Sequence, residues 1–356
     1  MNYVRILSEF HGRCWAVPEG LLLRMQEFLS AQASGAKWSR EEIQDRIANA
    51  NGRSGYQDRE HIGEPDYFPL RGRTSGKVAV IPMTGIISHR MNLISEISGG
   101  GGSSTQILHA RYRAAVRDAD CKAIVFDVDS PGGGCDGVVE LASEIYEARQ
   151  QKPIISVCNA MACSAAYWLA SAASNVICSP SGQCGSIGVF MVLQDESEAL
   201  KKEGVKITII KAGKYKAEGH TAEPLTDDAH GFFQHQVDSM YGMFVRSVAQ
   251  QRGVTQAAVR EGMGQGRSLM AADAVRAGLA DRLGTLDDVL WKLGVAGTGR
   301  PGMGTGAGMP LAASVALSHR KRELDLMRMG ARTPSTKAPE NGALLRRRRQ
   351  LDLLAP

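Results

Sequence analysis

The segment Ala123-Ile124-Val125-Phe126-Asp127-Val128 constrains this chain most. A strand so nearly uninterrupted in its apolar character has to be buried on both faces. That happens when helices cover both sides of a mostly parallel sheet. Further short apolar runs, Val78–Ile81 (closed by Pro82 and Gly85), Pro153–Cys158, Val176–Cys178 and Lys206–Ile210, read as companion strands. Between them lie helical stretches: about Gln106 to Arg117 after the glycines 99–102, with Ser103, Ser104 or Thr105 as cap; about Gly137 to Arg149; and Ser164 to Ala173. Strand and helix alternate, so the class is α/β with a largely parallel sheet. After Leu225 the pattern turns helical, with Phe232, Val237, Met240, Phe244 and Val245 near the helical period and a further helix over Ala271–Gly278.

This texture runs from Lys77 to about Leu293 and sets the domain boundaries. Residues 1–76 read as a helical extension and linker, with amphipathic stretches after Pro18 and after the cap Ser39. Residues 294–356 read as a flexible Gly/Ala-rich basic tail with a short helix near Ala312–Met329. The net charge of +5 belongs to that tail. Positions 297–356 hold 11 basic and 4 acidic residues, leaving 31 basic against 33 acidic elsewhere, so no nucleic-acid-binding domain is indicated. No apolar run is long enough to span a membrane, and Glu9 stands where a secretory signal would be apolar; the expectation is a protein that is not secreted. The seven cysteines form no CxxC pair and none of the usual metal-ligand spacings, and several sit in apolar runs, which suits small buried hydrophobes. No metal and no cofactor are expected.

Three segments could carry chemistry. Asp129-Ser130-Pro131-Gly132-Gly133-Gly134 ends the apolar strand, and glycines there let backbone amides face an anion or an oxyanion. A plain strand-to-helix turn would need the same glycines. Ser164, in Ala162-Cys163-Ser164-Ala165-Ala166-Tyr167, starts a helix between small neighbours; it can be a nucleophile or an ordinary N-cap. Gly213-Lys214-Tyr215-Lys216-Ala217-Glu218-Gly219-His220 follows an apolar run, and a lysine there becomes a general base only where burial lowers its pKa. Lys211, Lys214 and Lys216 are not separable on these grounds. Ser–Lys pairs are a known form of nucleophile activation.

Taken in order, these segments resemble the signal peptide peptidase A (SppA) family of serine proteases, and within it the phage capsid-assembly branch. The resemblance covers Lys77 to Leu293 and includes Cys184-Gly185-Ser186-Ile187-Gly188-Val189, Gly266-Arg267-Ser268 and Ala277-Gly278-Leu279-Ala280-Asp281. It implies a ClpP/crotonase-like fold of repeated strand-strand-helix units. It makes Ser164 the nucleophile and Lys216, the lysine after the tyrosine, its base; the amides of Gly132 or Gly133 and of Ala165 would form the oxyanion hole. Cys163 departs from the family's usual alanine. Where the related ClpP proteases carry a triad histidine, this chain has Gly185–Val189, with no histidine, and His220 is the fallback base.

The function implied is peptide-bond hydrolysis of scaffold, capsid or portal proteins, in the host cytoplasm or the assembling procapsid, by a homo-oligomer. Two other readings share the fold: a crotonase-like acyl-CoA enzyme without the serine and lysine, and a non-catalytic capsid assembly factor.

Overall fold

A strand paired along both edges and covered on both faces has its place fixed by its neighbours, and Cys121–Gly134 is such a strand. The computed structural model describes residues 14–16, 64–71, 76–89 and 102–298. In chain order their elements are β1 Trp15–Ala16, β2 Asp66–Pro69, β3 Lys77–Ser88, β4 Ser103–Ser104, α1 Thr105–Arg117, β5 Cys121–Gly134, α2 Val138–Ala148, β6 Ile154–Cys163, α3 Ala165–Ser171, β7 Asn175–Cys178, β8 Gln183–Gly185, α4 Ser197–Lys202, α5 Asp227–Arg252, α6 Gln256–Gly262, β9 Ser268–Met270, α7 Ala271–Arg276, β10 Arg282–Leu283 and α8 Leu286–Leu293. The helical stretches expected after Pro18, after Ser39 and near Ala312–Met329 lie outside the described residues.

The sheet runs β10-β7-β6-β5-β3-β2, with β4 on β3 and β8 on β6. The contacts of β3 with β5, β5 with β6, β6 with β7 and β7 with β10 are all parallel; β2 is antiparallel to β3. The α/β class with a parallel-rich sheet is therefore as expected. Alternation along β5 supplies both faces. Ile124, Phe126 and Val128 pack into the core beneath α1, α2, α3 and α5, while Ala123 and Val125 pack on the other side with Ile155, Val157, Ile177 and Val289 and Leu290 of α8.

The helices begin and end on their own chemistry. Ser104 is the residue that caps α1, its Oγ accepting from the Ile107 amide. Thr226 caps α5, and Thr285 with Asp288 forms a reciprocal capping box on α8. The helix that follows Ser164 is held hardest. Trp168 stacks on Phe244 of α5 at 4.4 Å between ring centroids, Tyr167 donates to the Leu279 carbonyl at 2.9 Å, and Ser171 donates to Gln251 at 2.6 Å. Behind them the buried Arg252 guanidinium pairs with Asp281 at 2.9 Å.

Three local expectations are corrected. The Ser130–Gly134 stretch is not a turn: β5 continues through it, because β3 also runs on to Ser88 and pairs Ile86 with Gly132 and Ile87 with Gly133. Glycine is needed there for close approach, since a Cβ on Gly133 would sit 1.8 Å from the Ile87 carbonyl oxygen. Lys206–Ile210 forms no strand, and Ile210 is 96% exposed; β-branched residues favour a strand only where an edge accepts their hydrogen bonds. The stretch read as a linker before Lys77 contributes β2.

Candidate active site

Strand β6 ends at Cys163 and α3 begins at Ala165, so Ser164 occupies the corner between them. Its backbone is held at φ 56°, ψ −120°, a region that non-glycine residues rarely adopt. The corner is pinned by the Ser164 amide donating to the Gly185 carbonyl at 2.7 Å and by the Trp168 amide donating to the Ser164 carbonyl at 2.9 Å. Ser164 makes no side-chain capping bond. Its hydroxyl donates instead, at 3.5 Å, to the Gly188 carbonyl, and the residue is 1% exposed. The N-cap reading of this serine accounts for neither the backbone strain nor the hydroxyl's direction.

The glycine segment runs alongside. Ser130 of β5 is paired with Ala162 of β6, two residues before Ser164. The Gly132 amide donates to Ser130 Oγ at 3.1 Å, and that hydroxyl donates to the Gly85 carbonyl at 2.6 Å. Gly132 is thus engaged within its own strand, whereas Gly133 faces Ala16 of β1 across the sheet, and the Gly133 and Ala165 amides are the candidates for an oxyanion. The thiol of Cys163, adjacent to the serine, is pushed up to about 12 by burial, against a smaller opposing hydrogen bond from Ser268. It is a protonated, inert neighbour at neutral pH.

Lys214 and Lys216 now differ. Lys214 donates to the Tyr215 hydroxyl at 2.7 Å, stacks over that ring and reaches Asp228 at 3.9 Å. Lys216 is exposed, and among the described residues its ammonium has neither a hydrogen-bond nor an ion-pair partner; the chain by itself does not join it to Ser164 by a hydrogen bond. His220 is tied down locally, its Nδ1 accepting from the Ala222 amide at 3.1 Å and its Nε2 lying 3.5 Å from Glu223.

Two features escaped the sequence. The side chains of Cys158 on β6, Cys178 on β7 and Cys184 on β8 meet in the core with their sulfurs all within 4.8 Å of one another. Three thiolates so placed could hold a soft cation. The thiol of Cys158 is raised by hydrogen bonds with Cys178 and Cys184 and by burial. No ligand spacing announces this trio, because three strands collect it. The other feature is β1, whose two residues pair with β5 at Gly133 and Gly134.

Residues 147–296 match peptidase family S49. The resemblance read from the motifs is borne out. The chain is 33% identical over 243 residues to the head-tail preconnector protein of Enterobacteria phage P21, covering 64% of this chain and 46% of that protein. It is 34% identical over 220 residues to the capsid assembly protease C of Escherichia phage lambda, covering 60% and 48%. A putative protease of Methanocaldococcus jannaschii is 32% identical over 177 residues, covering 50% and 57%. The chain thus spans about half the length of the curated relatives it matches. The S49 match takes in Ser164 and Lys216 and leaves Gly132 and Gly133 upstream of it. No helix of the described residues is long and apolar enough to cross a membrane.

Proposed function

We propose that this chain is a serine endopeptidase in which Ser164 is the nucleophile and Lys216 its general base, acting on scaffold and capsid or portal proteins in the assembling procapsid. The observation that carries the reading is Ser164 itself. It is a serine held in a strained corner after a strand, its hydroxyl released from capping, beside the glycine strand that ends β5. The match to S49 and the likeness to the lambda protease support it.

Neutral Lys216 takes the Ser164 proton, and the alkoxide attacks the scissile carbonyl. The amides of Gly133 and Ala165 hold the oxyanion that forms. As the intermediate collapses, the lysine returns the proton to the leaving amine, and water then releases the acyl-enzyme. An exposed lysine does not lose its proton readily, so the base has to be desolvated by something packed against it. The segment that carries Lys216 displays uncovered apolar side chains, Val205, Ile207, Ile210 and Tyr215, which fits burial against another subunit in a homo-oligomer.

Purified Ser164→Ala and Lys216→Ala should both lose peptide turnover while melting like the parent, and Lys214→Ala should be mild. Parent-level turnover by Ser164→Ala would remove the nucleophile assignment; parent-level turnover by Lys216→Ala would move the base elsewhere.

A further inference from the structure

Strand β1 lies in an unusual place. On one side Trp15 and Ala16 run antiparallel to β5, with Trp15 opposite Gly134 and Ala16 opposite Gly133. On the other side Trp15 exchanges a reciprocal pair of hydrogen bonds with Phe190: its amide donates to the Phe190 carbonyl at 2.8 Å, and its carbonyl accepts from the Phe190 amide at 3.0 Å. Phe190 is two residues beyond Gly188, whose carbonyl receives the Ser164 hydroxyl. The walls on either side of β1 are therefore the glycine strand that offers oxyanion donors and the segment leading away from the serine. The Trp15 side chain is 4% exposed, and Cys14 packs against the core.

An extended segment hydrogen-bonded along both edges is how a peptide is captured by strand addition. Alternation along the strand fixes which residue faces the glycines. With the amide and carbonyl of Trp15 turned to Phe190, those of Ala16 turn to β5, opposite Gly133. We infer that the cleft between Gly133–Gly134 and Phe190 is an extended-peptide site, and that residues 14–16 of this chain are its resident ligand, with Ala16 in the place of the residue whose carbonyl is attacked. The site takes a peptide with a small side chain at that position and a large apolar one before it. Any other substrate has to displace the resident strand first. This rests on the endopeptidase reading and adds to it the substrate class and a self-occupied resting state.

The test is the hydrolysis of a fluorogenic peptide ending in Trp-Ala before the cleaved bond, by the full chain and by its Trp15→Ala variant. Loss of the tryptophan anchor empties the site, so KM should fall about tenfold with kcat unchanged, as expected when a competent state stops being masked. An unchanged or higher KM in the folded variant overturns the self-occupied site and leaves the endopeptidase reading intact. Absence of turnover in both chains counts against that reading itself. A second measurement needs no variant: amide hydrogen exchange of residues 14–16 should accelerate about tenfold when a peptide aldehyde with the same Trp-Ala end binds the parent chain. Exchange that stays the same or slows means that β1 is a fixed part of the sheet, and overturns the inference.

Discussion

Substituting alanine at Gly133 tests the site through its backbone. A Cβ there would lie 1.8 Å from the Ile87 carbonyl oxygen and 2.5 Å from its carbon, both on the neighbouring strand β3. Ordinary contact begins near 3.4 Å, so β3 and β5 would have to part by about 1.6 Å at this point. Backbone cannot rotate out of the way as a long side chain can. An overpacked position of this kind costs about 1–3 kcal/mol of stability. The effect on catalysis is larger. Moving a positioned group by about 1 Å costs on the order of 10²-fold, and losing one oxyanion donor costs about 10²–10³ in kcat. Gly133→Ala should therefore lose about 10²–10³ in kcat, measured on a peptide substrate at a temperature where circular dichroism shows it folded. The control is Gly231→Ala, on the exposed side of α5, whose added Cβ meets nothing within 4 Å; its activity should stay within about twofold of the parent. Equal activity of the two variants would refute the placement of the oxyanion donor on this strand.

Two other outcomes rest on ionisable groups. The Lys77 ammonium, hydrogen-bonded to Asp118 at 2.8 Å, lowers that carboxyl from its ordinary 3.8 to about 2. A depressed folded-state pKa gives stability that is present above pH 3.8 and lost as the pH falls towards 2, and solvent screening of this partly exposed pair keeps that contribution small. Urea melts at pH 5 and pH 2 should show Lys77→Met losing less stability than the parent over that interval; an equal loss would show that the pair contributes nothing. Burial keeps the Cys163 thiol protonated, so Cys163→Ala should retain full turnover and the folded parent should resist iodoacetamide at this position. Inactivation by either change would make the cysteine part of the chemistry.

What the sequence revealed depended on whether a local pattern had one meaning. The Ala123–Val128 run had one, and β5 follows it on both faces. Ser164 between strand and helix was equally plain, although its strained backbone and uncapped hydroxyl were not. Glycines in Ser130–Gly134 read as a turn because glycine's local preference is for turns. Only the partner strand β3, which lies many residues earlier in the chain, makes them close-approach positions inside a strand. Lys206–Ile210 failed for the opposite reason: its composition suits a strand, and in the described fold it pairs with none. Two-residue β1 is too short to carry any periodicity, and Cys158, Cys178 and Cys184 share a site only because β6, β7 and β8 are neighbours.

Tagging the reactive atom decides whether Ser164 does covalent work at all. The intact chain should take up one fluorophosphonate group, and peptide mapping should locate the added mass on the hydroxyl at position 164. An adduct on a different residue, or none on a protein that cleaves peptide, would contradict the account.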